Sequence, residues 1–169
     1  MARTPPPANG FTRVVLAWVG FLLLIVAHFG IRPLVQAPVT ADFALMAVLF
    51  SSVRMRPGFA TLTGFLVGLA FDAIVPQHFG AQMLVFAVVA FGASWLKAVF
   101  FTDNVGLTGL FIFVGKWLVD LLLALLVGTG TTPLWMALLV WAPLSALLTT
   151  LVALTLLTVF RPLYRPHGT

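Results

Sequence analysis

The chain has 169 residues, 62% of them hydrophobic and 8% charged, with a formal net charge of +5. Its mean hydropathy of +1.14 excludes a soluble domain, in which about a quarter of residues are charged. The positive charge excludes nothing by itself, but it is scattered between apolar segments and not gathered into the basic patch that nucleic acid requires. Cysteine is absent and so is glutamate. This rules out disulfides, thiolate metal sites and cysteine nucleophiles, and removes the commonest carboxylate general base.

In chain order, residues 1–12 with Pro5-Pro6-Pro7 read as a disordered tail, residues 13–162 as one transmembrane domain, and residues 163–169 as a second tail. Six apolar segments follow one another. The first runs from about Arg13 to Gly30; it is long for a signal peptide and lacks a small-x-small cleavage site, so it reads as a retained helix. The second runs from Thr40 to Val53, or from nearer Leu34, with Pro33 and Pro38 making its start irregular. The third covers Gly58–Val75, the fourth Phe79–Phe101 and the fifth Val105–Val127. Gly128-Thr129-Gly130-Thr131-Thr132-Pro133 then forms a turn, and the sixth segment covers Pro133–Phe160, with a kink expected at Pro143. The expected fold is an all-α integral membrane bundle of six transmembrane helices.

Loop charges orient it. Arg3, Arg13, Arg54, Arg56, Lys97, Arg161 and Arg165 fall on one side with Asp103, and the opposite loops offer only Arg32. Positive residues stay inside, so both termini are placed in the cytoplasm.

The ionisable residues at membrane depth are costly there, and therefore informative. Gly64, Gly68 and Asp72 lie on one helix face: the glycines admit a close helix neighbour and the carboxylate needs a partner. Asp72 is about 21 Å from the inner end of its helix, in the outer half. Lys116 and Asp120 stand at i, i+4 in the fifth segment, at depths of about 16 and 22 Å. Lys116 is expected to bridge to Asp120, to Asp72, or to both. Asp42 reads as a dipole-complementing acid behind an N-cap Thr40, with Arg32 as a candidate partner. His78 sits in the loop after the third segment without metal-ligand spacing, and His28 reads as interfacial. With no nucleophile–histidine–acid set, zinc motif or phosphate loop, neither catalysis nor a metal or cofactor is expected.

The run Arg32-Pro33, Arg54 and Arg56, Gly64-Phe65-Leu66-x-Gly68-Leu69-x-x-Asp72 and Gly80-Ala81 resembles the bacterial rod shape-determining protein MreD family. The resemblance covers most of the chain; the loop after Asp72 departs from it, with fewer glycines and serines than family members carry. It implies a non-enzymatic inner-membrane scaffold of the cell-elongation peptidoglycan complex. Its implied partners are the bitopic protein MreC, a RodA-like glycan polymerase with its class-B penicillin-binding protein, and the MreB filament. It also implies a fold similar to the substrate-binding subunits of energy-coupling-factor vitamin transporters. The interaction face would then comprise Gly64, Gly68, Asp72 and Gly80. The alternative is a vitamin-binding transporter subunit, because Arg32, Asp42, Asp72, His78, Lys116 and Asp120 all map to the outer half.

Overall fold

The computed structural model describes residues 10–31, 41–74, 78–100, 105–130 and 132–164. Every regular element among them is helical: α1 (Gly10–Ile31), α2 (Phe43–Ser52), α3 (Pro57–Ile74), α4 (Ala81–Phe100), α5 (Val105–Val127), α6 (Leu134–Met136) and α7 (Ala142–Tyr164). A π-helical segment, Ala137–Trp141, joins α6 to α7.

The bundle is built around α2. Six consecutive residues, Ala44 to Leu49, are no more than 2% exposed. A helix apolar on every side is surrounded on every side, and α1, α3, α4, α5 and α7 all pack against this one. The outside is equally apolar. Leu23, Val26, Phe59, Leu139 and Leu151 are each more than 60% exposed. Large apolar side chains displayed around a bundle have their counterpart in lipid, not water.

Among the described residues, three helical runs are long and apolar enough to cross a membrane: Pro57–Ile74, Gly106–Val127 and Leu134–Thr158. Trp18–Gly30, Phe43–Ser52 and Ala81–Leu96 are shorter apolar helices. This corrects the expectation of six full spans. The second is ten residues long, about 15 Å, half the ~30 Å hydrocarbon core. Its extension toward Leu34 lies outside the described residues.

Where a kink is expected at Pro143, the structure has the π-helical segment in the turn before it. Pro143 has no N–H, so a carbonyl in the preceding turn must lose its partner. The helix widens there, and the Ala142 amide reaches back to Ala137 O. That five-residue step leaves Leu138 O facing the proline, and the Trp117 indole N–H of α5 donates to it at 3.3 Å. The turn at Gly128 and Gly130 adopts φ of +82° and +61°, the left-handed region that glycine enters without a Cβ clash.

Candidate functional site

Gly64 and Gly68 are the points where α3 meets α4. A Cβ on Gly68 would stand 2.5 Å from Gln82 O and Met83 Cα, and one on Gly64 would press on Phe86 O. The two backbones touch. This contact brings the C-terminal turn of α3 alongside the N-terminus of α4, and Asp72 is its product. The Asp72 carboxylate, 2% exposed, accepts N–H bonds from Gly80 (2.9 Å) and Met83 (3.0 Å) on Oδ2, and from Gln82 (3.3 Å) on Oδ1. Gly80, with φ +99°, directly precedes α4, its carbonyl accepting from Leu84 N. The carboxylate therefore caps the first turn of a helix other than its own. Its charge is disfavoured by the C-terminal end of α3 and favoured by the N-terminal end of α4.

Of the bridges expected of Lys116, the one to Asp120 forms and the one to Asp72 does not. Lys116 Nζ donates to Asp120 Oδ1 and lies 3.6 Å from Asp42 Oδ2. Lys116 Nζ is met by Asp120 and Asp42, and the Asp72 carboxylate by three backbone amides, so each group is satisfied without the other.

Asp42 is itself the N-cap of α2, in the position the sequence assigns to Thr40. Its Oδ1 accepts the Leu45 N–H at 3.0 Å, and its own N–H donates to Thr149 Oγ1 at 3.2 Å. His28 is not interfacial. It is 4% exposed, edge-on to Phe71 at 4.8 Å, with Nδ1 3.4 Å from both the Ala44 amide N and Asp42 Oδ1. Four helices, α1, α2, α5 and α7, thus place His28, Asp42, Lys116, Asp120 and Thr149 in one continuous polar chain. Of these, His28 and Thr149 carry no sequence signal as members, since one histidine and one threonine on apolar helices have neither spacing nor motif. Arg32 lies outside the described residues.

A cavity of about 300 Å³ opens beside this chain. Its polar lining is Asp72, Asp120, His78 and Gln82, and its apolar lining Leu123, Ala124, Val127, Ala137 and Leu138. Asp72, Asp120 and His78, three of the sequence-selected residues, meet here, and Gln82 is the member the sequence does not single out. Asp42 and Lys116 stay behind Asp120, in the interior. Among the described residues no group of three or more histidines and carboxylates has the arrangement of a metal site.

The buried acid chain, the glycine-closed α3–α4 hairpin and the lipid-facing exterior describe a membrane protein whose polar residues are spent on its own assembly and on one cavity. No curated protein and no solved structure matches the chain, so the likeness to energy-coupling-factor subunits has no solved fold behind it. The family model for the rod shape-determining protein MreD matches residues 9–167. The match takes in every element described above, and the chain belongs to the MreD family.

Proposed function

We propose that this chain acts as a non-enzymatic membrane scaffold in the cell-elongation machinery, holding an MreC-like bitopic protein and associating with a RodA-like polymerase, its class-B penicillin-binding protein and the MreB filament. The single observation that carries this reading is the family match over residues 9–167, which assigns a role in rod-shape determination. Two features support the finer statement. The polar residues at depth are engaged with one another, as in a rigid docking body, and the exterior is a continuous apolar surface suited to helices in lipid. On this reading both termini lie on the cytoplasmic side of the inner membrane.

Co-expression with an MreC-like protein tests it. Affinity purification of this chain from solubilised membranes should retain that protein through washing. Recovery of the chain alone, together with a rise in melting temperature on adding one of a panel of vitamins, would instead establish the transporter-subunit alternative.

A further inference from the structure

We propose that the cavity between the α3–α4 turn and α5 is a socket for one basic side chain, lysine or arginine, carried by a partner segment at that surface of the membrane. The proposal rests on the scaffold reading and names the chemistry of its contact. The polar side presents two carboxylates, Asp72 and Asp120, both held in place: the first by the three α4 amides, the second by Lys116. Backbone amides are dipoles, so the Asp72 charge remains for a further cation to meet. His78 and Gln82 add two hydrogen-bonding groups to the lining. Beyond Asp120 on the same face of α5, Leu123, Ala124 and Val127 continue the lining with Ala137 and Leu138, and this part is aliphatic.

That pairing of an anionic end with a greasy wall matches a charged head on a methylene stem. It does not match a bare metal ion, which gains nothing from the wall. A volume of about 300 Å³ is at the bottom of the range for small-molecule sites, about 300–1,000 Å³, and suits a side chain better than a vitamin. The ammonium of a zwitterionic lipid is the poorer fit. It brings a phosphate to within a few ångströms of two carboxylates, and Lys116 is already engaged by Asp120 and Asp42. A guanidinium or lysine ammonium brings no second charge.

The test fills the cavity without removing a charge. Ala124→Phe, purified with the co-expressed MreC-like partner, should keep the wild-type melting temperature and lose complex yield by about tenfold or more. Replacing the partner's juxtamembrane lysines and arginines singly with glutamine should reproduce that loss at one position. A folded Ala124→Phe variant that holds the partner at wild-type yield overturns the socket and leaves the scaffold reading intact. So does a partner in which no single replacement weakens the complex. A benzoylphenylalanine at Leu123 that cross-links only phospholipid assigns the cavity to lipid, and overturns it too. Failure of the wild-type pair to co-purify is the distinct result that removes the scaffold reading itself.

Discussion

Asp72 concentrates more interaction free energy than its position at a helix end suggests. Each hydrogen bond to a charged group contributes about 1.5–3 kcal/mol, and Asp72 accepts three, in a site 2% exposed. Since the donors are the first-turn amides of α4, removing the carboxylate leaves them for water to satisfy in part. Asp72→Ala should therefore cost about 3 kcal/mol, read as a fall in melting temperature in detergent. Asp72→Asn, which keeps an acceptor but loses the charge, should cost roughly half as much. Equal losses for both would mean that geometry, not charge, holds the cap. Lys116→Met should be worse, at about 3–5 kcal/mol, because it strands two carboxylates in the interior. Adding Asp120→Asn to Lys116→Met should recover part of that loss in the same melting assay. What the sequence discloses here is unequal. The glycine spacing before Asp72 marks a packed face, and that face is where α4 lies. The partner of Asp72 is invisible because backbone amides have no residue identity, and the pairing of Lys116 with Asp42 is invisible until α2 is known to be half a span.

The α3–α4 hairpin owes its closeness to two missing side chains. Gly68→Ala would push a methyl into Gln82 O and Met83 Cα at 2.5 Å. Backbone cannot swing aside as a rotamer does, so the helices must part and the Asp72 cap with them. The expected cost is about 1–3 kcal/mol for overpacking, plus whatever share of the cap is lost. Gly92→Ala is the contrast. Nothing lies within 4 Å of its added Cβ, and alanine is the better helix former by about 1 kcal/mol, so melting should be unchanged or improved. If the two alanine variants melt alike, the close approach contributes nothing to stability. Gly92 also shows the limit of composition: it lines an open groove together with Ala93, while the neighbouring Ser94 is buried and donates to Met55 O at 2.9 Å. The π segment before Pro143 follows a similar logic. Proline announces a defect, but where the defect falls depends on Trp117, twenty-one residues away, whose indole satisfies Leu138 O.

At the scale of the whole molecule, the question is how a bundle with a half-length helix at its centre crosses the membrane. The chain has no cysteine, so single substitutions report on topology without background. Arg54 and His78 are exposed on either side of α3, which is long and apolar enough to cross. A membrane-impermeant maleimide should label His78→Cys in intact spheroplasts and Arg54→Cys only after permeabilisation, as the positive-inside rule requires. Arg13→Cys decides the fate of α2. Ten residues cannot cross about 30 Å of hydrocarbon as a helix. If the chain is back on its starting side by the end of α2, however, Arg13 and Arg54 share a side and both stay unlabelled until the membrane is opened. That is the expected outcome, because a helix buried on all faces needs no lipid contact and can be short. Labelling of Arg13→Cys in intact spheroplasts, with Arg54→Cys silent, would make α2 a plug that the chain enters and leaves from the same side. The count of crossings would become odd, and the two basic ends of the protein would face opposite compartments.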